Sequence, residues 1–268
     1  MRDDVTAGLL RSVSRTFSVS VRILPPILRE PVGVAYLLAR ASDTIADAEG
    51  LAAEVRARRL DDFETLLGSG GDPGPVAAIR RDVRPSHAGE RALLDALPLV
   101  LARFAALPTA DRRDTLDLLA TIVAGQRGDV LTFADPGRVT ALPDAAALEA
   151  YTHAVAGCVG EWWTRLGFRH IPRYARCPEQ DLLPPSAALG KALQLVNVLR
   201  DLPADLRAGR CYLPLDELRA GGADPARLLA DPAAARPVVA AWSARARDLL
   251  DLGRGAVRAV RPWRVRFA

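Results

Sequence analysis

The run Tyr36-Leu37-Leu38-Ala39-Arg40-Ala41-Ser42-Asp43-Thr44-Ile45-Ala46-Asp47 constrains this chain more than any other stretch. It reads as one helix. At about 100° per residue, positions 43 and 47 fall about 40° apart on its surface, and Arg40 and Tyr36 extend the same stripe. Leu37, Leu38, Ala41 and Ile45 cover most of the remainder, and a helix this apolar is normally buried. Two carboxylates in such a place repel. At ~6 Å and an effective dielectric of about 20 the repulsion is roughly 3 kcal/mol, so a cation is expected between them. A lone Asp pair at this spacing is commonly a solvated face with an arginine beside it.

A second copy decides against that bland reading. Leu199-Arg200-Asp201-Leu202-Pro203-Ala204-Asp205 again carries Asp at i and i+4 with an arginine immediately before, and Gln194 and Asn197 lie upstream on its stripe. Two separate Asp-x-x-x-Asp helices, each with arginine and each in apolar surroundings, point to one shared chemistry, for which the two motifs must meet.

Ala, Leu and Arg dominate and aromatics make up 5% of the 268 residues, a mixture that favours helix. The fold class expected is all-α: a helical bundle around an apolar cavity. The length suits one large domain or two small ones. A single domain spanning 1–268 is preferred, because the Gly68–Pro75 loop lies between the two acidic motifs and reads as a helix connection. The formal charge of +4 suits an anionic ligand. Both signs are interspersed without a long basic run, so no nucleic-acid partner is expected. Cys158, Cys177 and Cys211 are odd in number and lack metal-ligand spacing, which reads as reduced thiols. With no signal-peptide pattern and no apolar stretch of about 18 residues, a cytoplasmic protein is expected.

Periodicity places helices over 5–21, from Pro31 to before Gly50, and over 51–67, 90–106, 110–133, 144–168, 184–200 and 232–260. Pro25 and Pro26 should break the first, and Pro31 should sit in the first turn of the second. Gly125 and Gly128 suggest a kink or a close backbone approach. Pro203 should kink or restart its helix, and Arg210–Pro214 should be an extended exit. No β-hairpin signal stands out.

Hard oxygen ligands suit Mg²⁺, which takes one or two carboxylates together with waters and phosphate oxygens. Four aspartates would hold a cluster of such ions and so bind a diphosphate leaving group. Arg15, Arg40, Arg200 and Arg210 are the matching guanidinium forks for phosphate oxygens. With an apolar cavity behind them, the ligand shape is a prenyl diphosphate.

The chain resembles the squalene/phytoene synthase family of head-to-head prenyl transferases. The matching residues are Ser14-Arg15-Thr16-Phe17, the 36–47 run, Tyr151-Thr152-His153-Ala154-Val155-Ala156-Gly157, and Gln194 through Asp201 and Asp205 to Arg210-Cys211-Tyr212-Leu213-Pro214. The resemblance implies an isoprenoid-synthase fold in which Asp43, Asp47, Asp201 and Asp205 hold Mg²⁺, assisted by Asn197. Ser14, Arg15, Phe17, Arg40, Gln194, Arg200 and Arg210 would bind substrate, and Tyr36 and Tyr151 would sit by the reacting carbons. It implies condensation of two farnesyl diphosphates through presqualene diphosphate to squalene, with NADPH as the final reductant. The alternatives are a phytoene or dehydrosqualene synthase, which needs no NADPH, and a non-catalytic helical protein that binds lipid or a partner. His153 reads as structural and the Trp162–Trp163 pair as core or partner contact. Gln126 and Asp129 read equally as cavity lining or helix packing. The basic, aromatic tail over 261–268 reads as a frayed terminus or as a peripheral contact with an anionic membrane at its inner face.

Overall fold

The computed structural model describes residues 2–69 and 73–267, with side chains over 6–68 and 73–267. Gly70, Gly71 and Asp72 of the expected loop and Ala268 of the tail lie outside the described residues. The chain falls into two compact units: residues 1–127 with 165–176 and 260–268, and residues 128–164 with 177–259.

In the first unit, one expected helix becomes two. α1 (Arg2–Val13) stops at Ser14, and α2 (Arg15–Ile23) starts there. The Phe17 amide donates to the Ser14 hydroxyl oxygen at 3.2 Å. A serine that satisfies an orphan amide starts a new helix in place of continuing the old one. α3 (Pro26–Ala46) opens at Pro26, so Pro31 lies inside it and not in its first turn. The carbonyl that Pro31 deprives of a partner belongs to Ile27, which is 56% exposed, so water can replace the bond. α3 buries Leu28, Val32, Leu37, Leu38, Ala41 and Ile45, while Tyr36, Arg40, Asp43 and Asp47 stay more open. The helix ends on Asp47, whose amide still donates to the Asp43 carbonyl at 2.8 Å.

α4 (Ala53–Ser69) runs past Gly68, and α5 (Pro73–Asp82) takes up the prolines of the expected loop. α6 (Ala88–Asp95) and α7 (Leu97–Ala105) divide the predicted 90–106 helix at Ala96. α8 (Thr109–Thr132) continues through both glycines without a break, and a Cβ on Gly128 would meet nothing. The buried Asp111 accepts from Arg169 at 3.0 Å and lies 2.8 Å from His170 Nε2.

The second unit holds a feature that periodicity did not reveal. β1 (Thr140–Leu142) pairs in parallel with β2 (Arg210–Pro214), the segment read as an extended exit. The expected 144–168 helix is α9 (Ala145–Thr152), a π-helical turn over His153–Gly157, and α10 (Cys158–His170). Asp144 caps α9 by accepting from the Ala147 amide at 2.9 Å. α11 (Glu179–Arg207) passes through Pro203 without the restart offered as the alternative to a kink; the carbonyl that Pro203 deprives of a partner belongs to the half-buried Leu199. A Cβ on Gly160 would stand 2.1 Å from the Ser186 carbonyl oxygen, and one on Gly190 would stand 2.2 Å from that of Ala156. Only glycine allows these two backbones to approach so closely. Leu148, Leu195, Val198, Leu206, Cys211 and Leu213 then form a core with Trp242 and Leu249 of α13 (Arg236–Ala259). α12 (Leu215–Ala220) and two 3₁₀ turns over 225–227 and 232–235 link β2 to α13.

The tail returns to the first unit as α14 (Trp263–Arg266). Among the described residues no helix is long and apolar enough to cross a membrane. The three cysteines are free thiols, and burial pushes Cys158 up to about 12 and Cys211 up to about 11. Such thiols stay protonated and unreactive.

Candidate active site

In the first unit, α3 carries the acidic stripe and α2 supplies its aromatic neighbour. Phe17 stacks on Tyr36 with ring centroids 3.8 Å apart and planes 16° from parallel. Ser14 serves as the cap that sets this register, and Arg15 is exposed on the first turn of α2. Arg40 is not centred between the two aspartates. Its Nη2 pairs with Glu90, and its Nη1 reaches Asp43 Oδ2 only at 4.0 Å. Gln126 donates to the other Asp43 oxygen.

The result is a carboxylate with too little positive charge beside it. Asp43 is pushed up to about 6, first by burial, then by the charge of Asp47; Arg40 and the Gln126 hydrogen bond oppose the rise, and Glu90 adds to it. Its side chain keeps 45% of its surface accessible. The two facts are compatible, since a carboxylate set in a concavity touches water yet has little bulk solvent around it. Gln126 Oε1 and Arg40 Nε are buried without a hydrogen-bond partner. An orphan acceptor next to the under-neutralised Asp43 carboxylate fits a hydrated divalent cation.

The second unit treats its acids differently. Arg200 grips Asp201 with two bonds at 2.8 and 2.7 Å, and that pairing holds the Asp201 carboxyl below the usual range. Arg210 donates twice to Asp205 Oδ1, at 3.2 and 3.0 Å. The arginines expected on phosphate oxygens are therefore on the carboxylates of their own motif. Within neither unit do three His, Cys, Asp or Glu side chains among the described residues form a cage for a metal ion. The acids come in pairs, which leaves further coordination to water and to a ligand's oxygens.

Tyr151 lies just before the π-helical turn, and Tyr212 comes from β2. Their rings stack at 4.6 Å, and Phe133 meets Tyr212 edge-on at 5.1 Å. Gln194 donates to the Tyr151 hydroxyl at 3.3 Å, and Asn197 donates to Gln194 Oε1 at 3.3 Å. The Tyr212 hydroxyl donates to Asp129 Oδ2 at 3.1 Å. Burial first, and the Asp129 charge second, raise both phenols far above their ordinary value. They are neutral at every working pH.

The structure thus gathers Phe17, Tyr36, Arg40, Asp43 and Asp47 in one unit, and Tyr151, Gln194, Asn197, Arg200, Asp201, Asp205 and Arg210 in the other. Of Gln126 and Asp129, read only as lining or packing, Gln126 bonds to Asp43 directly and Asp129 bonds to Tyr212, which stacks on Tyr151. Glu90 and Phe133 carried no local signal, and Tyr212 was visible only as part of its motif. The pair Trp162 and Trp163 stack edge-on at 6.5 Å with Trp162 buried, as a core pair would.

A sequence profile of the squalene/phytoene synthase family matches residues 10–268. The chain is 30% identical over 231 residues to the presqualene diphosphate synthase of Zymomonas mobilis, covering 85% of this chain and 67% of that one. It is 31% identical over 218 residues to the 15-cis-phytoene synthase of a Paracoccus strain, covering 78% of this chain and 59% of that one. It therefore spans about two thirds of the first relative and less of the second. The crystal structure of the squalene synthase HpnC from Alicyclobacillus acidocaldarius shares the fold with a TM-score of 0.67, at 22% identity, over 99% of this chain and 86% of that one. With its helical fold and its two Asp-x-x-x-Asp helices, the chain belongs to the squalene/phytoene synthase family.

Proposed function

We propose that this chain is a magnesium-dependent prenyltransferase that joins two farnesyl diphosphates head to head, through presqualene diphosphate, to squalene. Members of its family are prenyltransferases. The observation that carries the reading is the Asp43–Asp47 pair: a carboxylate raised to about 6 beside a second carboxylate, with its nearest arginine turned to Glu90. Asp43 is poorly neutralised by the side chains beside it, and such a carboxylate suits an added cation.

In this reading Asp43, Asp47 and Gln126 hold ions in the first unit, and Asp201, Asp205 and Asn197 hold them in the second. Magnesium, when bound, would neutralise the leaving diphosphate and ease its departure. Arg200 and Arg210 would exchange carboxylate oxygens for phosphate oxygens, which offer the same bidentate match. Arg15 and Arg40 would serve phosphate oxygens within the first unit. The first substrate loses diphosphate and becomes an allylic cation; the second substrate's double bond attacks it, and loss of a proton closes the cyclopropane. The Phe17–Tyr36 and Tyr151–Tyr212 stacks offer aromatic faces that attract a cation. Neutral Tyr151 and Tyr212 serve as hydrogen-bond donors, not as phenolate bases. Asp129 and Gln194 fix where their hydroxyls point.

The relative named a presqualene diphosphate synthase supports the first half of the reaction. The similarity to a phytoene synthase favours one second reading, in which geranylgeranyl diphosphate is used and no hydride is needed. A non-catalytic lipid-binding role would fit loss of one acidic pair, and both are intact. The proposed location is the cytoplasm, at the membrane face where a hydrocarbon would be delivered.

Incubation with farnesyl or geranylgeranyl diphosphate and Mg²⁺, with and without NADPH, tests the proposal. Presqualene diphosphate should accumulate without NADPH and squalene should form with it. Phytoene from the longer substrate would replace the first reading with the second. No product from either substrate would overturn both. Asp43→Asn and Asp201→Asn should each lower turnover at least about a hundredfold.

A further inference from the structure

The tail over 261–267 is pinned, not frayed. The Arg261 amide donates to the Tyr174 carbonyl at 2.8 Å, and its Nε donates to that of Ala175 at 3.1 Å. Ala175 and Val260 form an antiparallel bridge. Arg264 Nε donates to the Ile23 carbonyl at 2.8 Å, at the end of α2, and Val265 is buried. With the segment held this firmly, Trp263 still leaves 60% of its surface exposed and Phe267 leaves 74%. Their rings meet edge-on at 6.5 Å.

Exposed aromatic residues on a fixed turn are costly in water unless something covers them. More apolar surface lies close along the chain around the anchor point. Val19, four residues before Ile23 on α2, is 53% exposed, and Ile27, four residues after it, is 56% exposed. Positive charge surrounds them: Arg22, Arg261 and Arg266 are exposed. Arg22 also lines a cavity of about 380 Å³ whose walls include Leu10, Val21 and Pro26, together with Arg11, Arg29 and Arg103. Among the described side chains that line it, the one acid, Glu30, is paired with Arg103 at 3.0 Å.

We infer that this face is a docking surface for an anionic phospholipid bilayer. Trp263 and Phe267 enter the interfacial layer, where aromatic rings are favoured. Arg22 and Arg266 meet lipid phosphates, and the arginine-lined cavity accepts a headgroup. Charge complementarity selects this occupant: among the described side chains, the face carries several guanidinium groups against one already neutralised carboxylate. The surface does not depend on which reaction the acidic pairs perform, and its test does not use turnover.

The experiment is co-sedimentation of the full chain with vesicles of phosphatidylglycerol and phosphatidylcholine, and with phosphatidylcholine alone. The chain should bind the anionic vesicles and bind the neutral ones weakly. Trp263→Ser with Phe267→Ser should lower partitioning about tenfold or more. Arg22→Gln with Arg266→Gln should lower it on anionic vesicles only, on the order of fivefold per charge removed. Melting temperatures of both double variants should match the parent, since the replaced side chains are exposed. Brominated lipid should quench the parent's fluorescence more than that of Trp263→Phe. Equal partitioning of parent and variants, or no vesicle binding while inorganic phosphate binds the cavity, overturns the inference. So does a dimer that either double variant dissociates, because a second copy would then cover the face.

Discussion

Replacing Asp43 by Asn should make the metal-free protein more stable while removing its activity. The Asp43 carboxyl is pushed up to about 6 from 3.8, chiefly by burial and then by Asp47. Taken at full weight, a shift of roughly two pH units corresponds to about 3 kcal/mol. The side chain is 45% accessible, so solvent screening reduces this to about 1 kcal/mol. The sign follows from proton binding. A raised carboxyl binds its proton more tightly in the folded chain, so its stabilising contribution is complete below pH 3.8 and is lost as the pH rises through about 6. Above neutrality the ionised Asp43 is at its most costly. Asn is neutral at every pH and still presents an oxygen to Gln126. In EDTA at pH 8, Asp43→Asn should therefore melt about 2–3 °C above the parent. The gap should close as the pH falls toward 4. Adding Mg²⁺ without diphosphate should raise the parent's melting temperature and leave the variant's nearly unchanged. A variant that melts at or below the parent in EDTA at pH 8, or a gap that ignores pH, would refute the reasoning.

Two further variants probe the second unit. Tyr212→Phe keeps both ring contacts and removes the bond to Asp129, so turnover should fall about tenfold; in a cycle with Asp129→Asn the two losses should not add, and full additivity would show that the bond carries no weight. Gly190→Ala should lower stability by about 1–3 kcal/mol or more, read by urea unfolding, because its methyl would stand 2.2 Å from the Ala156 carbonyl oxygen.

How far the sequence could be read depended on how local each signal was. α3 was legible because its apolar positions repeat at helical spacing and its open stripe carries Tyr36, Arg40 and both aspartates. The break at Ser14 had a local cause, a capping serine, that the surrounding periodicity masked. Pro31 misled because a proline is tolerated inside a helix where water can serve the freed carbonyl. The π-helical turn after Tyr151 inserts a register change that a 3.6-residue pattern cannot show. Neither Glu90 nor Gln126 could be placed from sequence, since each reaches α3 from a helix far along the chain. The strand pairing of Thr140–Leu142 with Arg210–Pro214 is too short to leave an alternating pattern.

The two acidic motifs look alike in sequence but differ in their own counterions, and on the proposed function that difference should order metal binding. At Asp201 and Asp205 a guanidinium already sits on each carboxylate. An incoming cation must displace it and leave an arginine without an anion. A diphosphate supplies that anion, so metal and diphosphate should strengthen each other's binding there. At Asp43 no such exchange is required: Arg40 is committed to Glu90, and the carboxylate is poorly neutralised. A first ion should therefore bind without diphosphate, releasing protons near pH 6 as Asp43 ionises fully. Titration with Mn²⁺ followed by electron paramagnetic resonance should show this ion alone, and further ions only once inorganic diphosphate is present. Asp47→Asn should weaken the diphosphate-independent ion, and Asp205→Asn should weaken only those that need diphosphate. Full occupancy without diphosphate would mean that the arginines on Asp201 and Asp205 do not gate their site, and a first ion indifferent to Asp47→Asn would mean that it does not sit on the α3 pair.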